Sequence, residues 1–93
     1  MVGKELQEFG RLHDDEKLMV VHHGLKAGDK IQPHNHPDEV IFFTVVKGKL
    51  NVFLNGEEKH EMVPGKVLNF DGTNFISADA LEDSEVFVYL IKK

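Results

Sequence analysis

The sequence predicts an all-β fold, a small sandwich or barrel, and three observations point to it. From Lys17 onward, turn-forming residues recur every 8 to 12 residues or so, the spacing of short antiparallel strands. The segments between them are rich in β-branched and aromatic residues, which suit a pleated, half-buried surface. The length, 93 residues, encloses one hydrophobic core and not two.

The first dozen residues carry the only helix-compatible spacing, at Leu6, Phe9 and Leu12, and Gly3 and Gly10 bracket it too closely for a long helix. Residues 1–16 are expected as an arm or one helical turn, and residues 17–93 as a single barrel domain. Strands are expected over 17–25 (KLMVVHHGL), 39–48 (EVIFFTVVKG), 49–56 (KLNVFLNG), 57–63 (EEKHEMV), 66–70 (KVLNF), 75–80 (FISADA) and 84–92 (SEVFVYLIK). Asn55-Gly56 is the strongest hairpin signal, because both residues tolerate the positive φ of a type I′ turn. VPGK and FDGT mark two further turns, with Pro fixing φ in the first and Gly supplying freedom in both. In VIFFTVV, Ile41, Phe43 and Val45 point one way while Val40, Phe42 and Val46 point the other. A strand wet on one side would alternate apolar with polar. A second packed layer, a subunit interface or both must therefore cover it, and a homodimer is expected.

Composition excludes several functions. A formal net charge of -5 with no basic cluster argues against nucleic acid, whose binding rests on Lys and Arg at phosphates. The longest apolar runs fall far short of the roughly 20 residues that a membrane helix needs. The N-terminus MVGKELQEFGRLHDDEK is polar and mixed in charge, unlike a secretory signal, so a cytoplasmic protein without a membrane partner is expected. With no cysteine, thiolate nucleophiles, zinc ribbons and iron–sulfur clusters are ruled out. A transition metal would have to be held by His, Asp, Glu or backbone oxygen.

The segment PHNHP at 33–37 is where such chemistry could sit. Residues i and i+2 of an extended chain face the same side, about 6 to 7 Å apart at Cα. His34 and His36 can thus converge on one ion, and Pro33 and Pro37 hold the backbone extended around them. Two solvated histidines in a proline-rich loop would show the same spacing. His23 shares parity with Met19, Val21 and Leu25, which makes it either a further ligand or a core or interface histidine, while His22 faces out. His60 among Glu57, Glu58 and Glu61, and His13 beside Asp14 and Asp15, read as solvated polar residues.

Gly28, five residues, His34-x-His36 and an apolar strand ending at Gly48 together resemble the first motif of the cupin family, which runs Gly, five residues, His-x-His, three or four residues, Glu, six residues, Gly. Gly56, seven residues and Pro64-Gly65-Lys66, then FDGTNFISAD at 70–79, resemble the second. The resemblance covers about residues 18–91 and implies a small jelly-roll β-barrel. It also implies a metal site whose ligands are only partly retained. The family's Glu position falls on Ile41, or on Val40 when counted from the histidines, and its third His position falls on Phe75. A bulge or register shift could turn Glu39 inward to complete a two-His, one-carboxylate face. By alternation, Phe43, Val45, Phe75 and Ser77 would line the pocket, a wall suited to a small apolar or aromatic ligand or else a filled core.

Three functions remain open. One is a binding protein for a small molecule with a weak or vestigial His-x-His metal site. Another is a metal-dependent enzyme, dioxygenase- or isomerase-like, with Fe, Mn, Ni or Zn on His34 and His36. The last is a non-catalytic dimeric structural or interaction protein. Nucleophilic hydrolysis has little support, since Ser77 and Ser84 have no base in any local pattern.

Overall fold

The computed structural model describes residues 2–93. Nine strands follow one another: β1 (Gly10–Asp14), β2 (Leu18–Leu25), β3 (Lys30–His34), β4 (Glu39–Lys47), β5 (Leu50–Leu54), β6 (Glu58–Met62), β7 (Val67–Asp71), β8 (Ile76–Ala80) and β9 (Ser84–Lys92). They form two antiparallel sheets, ordered β1-β2-β9-β4-β7 and β3-β8-β5-β6, and no helix occurs among the described residues. The result is the jelly roll that the turn spacing and motifs predict.

Seven of the nine strands match the predicted ones to within two residues at either end. The other two were not expected as strands, and both lie at sheet edges. β1 falls inside the segment expected as an arm or helical turn, which shortens the arm to residues 2–9. β3, KIQPH, contains Pro33, whose missing N–H is tolerated where one side of the strand has no ladder partner. An edge strand buries little, so neither segment carries the apolar alternation that marks a strand in a sequence.

Inward residues of both sheets meet in one core. Ile41, Phe43 and Val45 of β4 and Leu50, Val52 and Leu54 of β5 are buried, as alternation requires. Asn55 and Gly56 sit at φ 56° and 69°, so the predicted type I′ turn closes the β5–β6 hairpin.

The loop between β3 and β4 carries the histidine pair and is tied down from two directions. His36 N–H donates to the Gly72 carbonyl and Gly72 N–H donates to the Glu39 carbonyl, both at 2.8 Å. A Cβ on Gly72 would land on the carbonyl oxygens of His36 and Glu39, so only glycine permits this approach. At the chain end, Lys93 N–H donates to the Asp38 carbonyl at 3.0 Å, and its Nζ reaches Pro37 O at 3.2 Å and Asp71 Oδ1 at 2.8 Å.

Candidate functional site

Between the sheets lies a cavity of about 210 Å³. Its walls are hydrocarbon from both sheets, including Val21, Ile41, Phe43, Ile76, Val88 and Leu90. Its polar lining residues are His23, His34 and His36.

His34 ends β3 opposite Ile76, across an irregularity in the β3–β8 register that follows Ile31. Its Nδ1 donates to the Gln32 carbonyl at 2.9 Å, which assigns the proton to Nδ1 and leaves the Nε2 lone pair free. The rings of His34 and His36 are 5.0 Å apart, edge to face at 88°. His36 Nδ1 faces Glu39 Oε1 at 3.7 Å, an ion-pair distance too long for a direct hydrogen bond. Burial, then the neighbouring His34 charge, push the His36 pKa down, while the Glu39 carboxylate opposes them. His36 therefore favours the neutral form that ligation needs.

The other sequence-predicted residues divide. Glu39 shares the inward side of β4 with Ile41, two residues on, and the β4–β9 register runs unbroken from Glu39 to Val45. No bulge is needed to turn it in. It stands behind His36 and does not line the cavity. His23 lines the rim but is itself exposed. Phe43 lines the cavity, whereas Val45 is packed in solid core beside Val86.

Phe75 and Ser77 require correction, since the structure puts neither on the cavity wall. Phe75 is 48% exposed and precedes β8. Its N–H donates to Asn55 Oδ1 at 2.9 Å and its carbonyl accepts from Asn55 N–H at 2.7 Å, which draws it onto the hairpin. The inward residues of β8 are thus Ile76, Ala78 and Ala80, and Ser77 faces out, because one residue of shift reverses every side chain of a strand. Val88 and Leu90 also line the cavity, and they follow from carrying alternation along β9 as well as β4.

The donor set decides what could be held here. Ile41 and Ile76 line the cavity beside the imidazoles, and neither can donate to a cation. Among the described residues no three His, Cys, Asp or Glu side chains gather closely enough to hold a metal ion. The residues present do not fit a closed four-ligand site, since His34 and His36 are the only His, Cys, Asp or Glu side chains lining the cavity beside Ile41 and Ile76 apart from the exposed His23 at the rim.

A larger furrow of about 470 Å³ runs beside the arm, past His22, Ser84 and Glu85. His22 lies on the outer side of its sheet as expected, yet it is only 5% exposed. Its ring is stacked between Phe9 and Phe87 at 4.4 and 4.3 Å. Nδ1 lies against the carbonyls of Gln7 and Glu8, and Nε2 lies 3.0 Å from Glu85 Oε1. That imidazole is fully engaged and offers nothing to a ligand, so the smaller cavity is the better site.

Solved structures share this fold. An RmlC-like cupin family protein with a double-stranded β-helix fold from Methanocaldococcus jannaschii superposes with a TM-score of 0.83 at 17% identity, over 99% of this chain and 93% of that one. KdgF from Halomonas sp. gives 0.79 at 26% identity, over 97% and 88%. An RmlC-like cupin from Desulfovibrio desulfuricans gives 0.81 at 22%, over 88% and 78%. No curated protein matches the chain. The cupin domain family model matches residues 21–75, from within β2 across the first motif and most of the second to the residue before β8, and with the histidine pair facing the barrel cavity the chain belongs to the cupin domain family.

Proposed function

We propose that this protein binds a small, largely apolar molecule in the barrel, with the polar end of the ligand against His34 and His36. The observation that carries this reading is the cavity itself, whose walls are hydrocarbon and whose polar lining is three imidazoles. A concave apolar site with a few convergent polar groups is the usual form of a small-molecule site.

The same two imidazoles support a second reading, a metal-dependent enzyme. Nδ1 of His34 is spent on a carbonyl and Nδ1 of His36 faces a carboxylate, which leaves both Nε2 atoms as donors. They would retain Fe, Mn, Ni or Zn weakly, and a bound ion would supply Lewis acidity to a chelating ligand. The chain's own part would be to keep His36 neutral and to exclude water along Ile41 and Ile76.

Metal analysis of tag-free protein, with zinc and nickel titrations, tests the metal site. Roughly micromolar or weaker binding, lost to chelator and in His34→Ala/His36→Ala, is expected. Thermal shift with hexanoate, benzoate and gluconate tests the pocket. The two apolar acids should raise Tm and gluconate should not, and filling the cavity with Phe43→Trp should abolish the rise. Stabilisation by gluconate alone, or shifts that survive Phe43→Trp, would contradict the apolar site.

A further inference from the structure

We infer that Asn55 is a modification site whose chemistry the fold holds in check: attack by the Gly56 nitrogen expels its amide as ammonia, and a clasp to Asn74 and Phe75 keeps that reaction slow until the β5–β6 hairpin opens. The sequence holds five asparagines, and Asn55 alone precedes a glycine. The others are followed by His36, Val52, Phe70 and Phe75. A following side chain crowds the approach of the backbone nitrogen to the asparagine Cγ, and glycine has none. At Gly56 even an added Cβ would meet no atom within 4 Å, and both turn residues are exposed to the water that the reaction consumes.

The bonds balance without an oxidant or a reductant. The Gly56 N–H gives its proton to water or hydroxide, and the nitrogen forms a bond to Asn55 Cγ. The Cγ–Nδ2 bond breaks, and Nδ2 takes a proton from water and leaves as ammonia. The five-membered succinimide then adds one water at either carbonyl. The product is aspartate or, where the main chain is left running through Cγ, isoaspartate. Either one carries a new negative charge.

The turn treats the two reacting groups differently. Gly56 N–H has no hydrogen-bond partner among the described residues, so the nucleophile is free. The electrophile is not. Asn55 Oδ1 accepts from Phe75 N–H at 2.9 Å, Nδ2 donates to Asn74 Oδ1 at 3.0 Å, and Asn55 N–H donates to the Phe75 carbonyl at 2.7 Å. Ring closure needs Cγ to swing onto the Gly56 nitrogen, and both of its substituents are tied to the turn between β7 and β8. Asn74 is itself fixed, through its N–H at 3.1 Å and its Nδ2 at 3.0 Å on the Asp71 carbonyl.

Asp71-Gly72 provides an internal comparison, since an aspartate before glycine can close the same ring with loss of water. There both groups are withdrawn. Gly72 N–H is engaged by the Glu39 carbonyl, and the Asp71 carboxylate, a poor electrophile when ionised, is held by Lys93 and Thr73. At Asn55 the reaction would undo its own restraint. It removes the Nδ2 donor and sets a carboxylate oxygen against Asn74 Oδ1, two acceptors with no proton between them. Isoaspartate also lengthens the backbone of a turn that two positive φ values close.

The test follows the full chain in mildly alkaline buffer, folded and unfolded in guanidinium, by peptide mass mapping and enzymatic methylation of isoaspartate. Local opening limits any reaction that only the open form undergoes. The folded parent is expected to convert Asn55 at least roughly tenfold more slowly than the unfolded chain, with Asn55 the fastest-converting asparagine in both. Asn74→Ala should raise the folded rate several-fold, and Asn55→Asp should lower Tm. Should Asn74→Ala fail to fold, hydrogen exchange at Phe75 N–H reads the opening of the clasp in the parent itself, and its protection should match the slowing. Equal rates in the folded and unfolded chain, a folded Asn74→Ala protein that converts no faster, an undiminished Tm in Asn55→Asp, an unprotected Phe75 N–H, or faster conversion at another asparagine would each overturn the inference.

Discussion

Asp71 does more for the candidate site than its exposed position suggests. Its carboxylate accepts from Lys93 Nζ, then from Thr73 N–H and Thr73 Oγ1, and these hydrogen bonds hold its pKa down at about 2, against an ordinary 3.8. Because Lys93 also reaches the Pro37 carbonyl, the carboxylate fastens the chain end to the loop that carries His36. With the folded value depressed, the stabilisation is complete above the unfolded value of 3.8 and disappears as pH falls towards 2. Asp71→Asn should therefore be less stable than the parent at neutral pH, and the gap should close in acid. Urea midpoints for both proteins between neutrality and pH 2 check this, and a gap that is independent of pH would remove the ionised clasp from the account. His36 shows the opposite use of a side chain, kept neutral by burial and by its neighbour His34 so that its lone pair stays available.

The turn between β7 and β8 sets the position of the histidine loop. A methyl group at Gly72 would collide with the carbonyl oxygens of His36 and Glu39, so Gly72→Ala must push the two segments apart. A forced backbone shift of this sort costs typically about 1–3 kcal/mol. Denaturation should show that loss, and zinc titration should show weaker binding as His36 is displaced from His34. An unaltered zinc affinity would mean that the turn does not position the ring. The strand elements also explain what was legible in the sequence. β4 declared itself because Ile41, Phe43 and Val45 alternate without interruption, and Asn55-Gly56 fixed the β5–β6 hairpin through backbone preference alone. β8 departs from its pattern because FISADA opens on a phenylalanine, which places the expected strand start one residue too early. The contacts that hold Phe75 outside come from Asn55, twenty positions away, and no local pattern reveals them. β3 was hidden for a similar reason, since its pairing with β8 is non-local and its proline reads as a loop. The histidine pair is legible as a motif, but the hydrogen bond of His34 Nδ1 to Gln32 and the approach of Glu39 to His36 Nδ1 depend on folded positions.

At the scale of the whole molecule, the cavity between the sheets sits in opposition to the stability of a small core. Ile41 is 2% exposed and Ile76 6%, and both flank the imidazoles where a cation would look for donors. Burying one such side chain contributes about 1.5–3 kcal/mol. A carboxylate in the same place would forgo that contribution and would add the cost of an uncompensated buried charge, about 3–5 kcal/mol when no partner is present. Two hydrocarbon walls are therefore a substantial part of what a 93-residue barrel can assemble, and a complete donor set would leave the metal-free fold near its limit. The trade can be reversed by substitution. Ile41→Glu points inward from β4 beside Phe43, and Ile76→His points inward from β8 opposite His34. Each alone should lower the metal-free Tm, and together with His34 and His36 they should raise zinc affinity by roughly tenfold or more for each donor added, since each supplies a ligand otherwise taken from water. Zinc should then restore much of the lost Tm in the double variant and do little for the parent, because an ion that binds only the folded state stabilises it in proportion to its affinity. Calorimetric titration and thermal melts with and without zinc measure both quantities on the same samples. If the double variant folds yet binds zinc no more tightly than the parent, the four positions do not converge, and the hydrocarbon at Ile41 and Ile76 fills a core without having displaced a metal site.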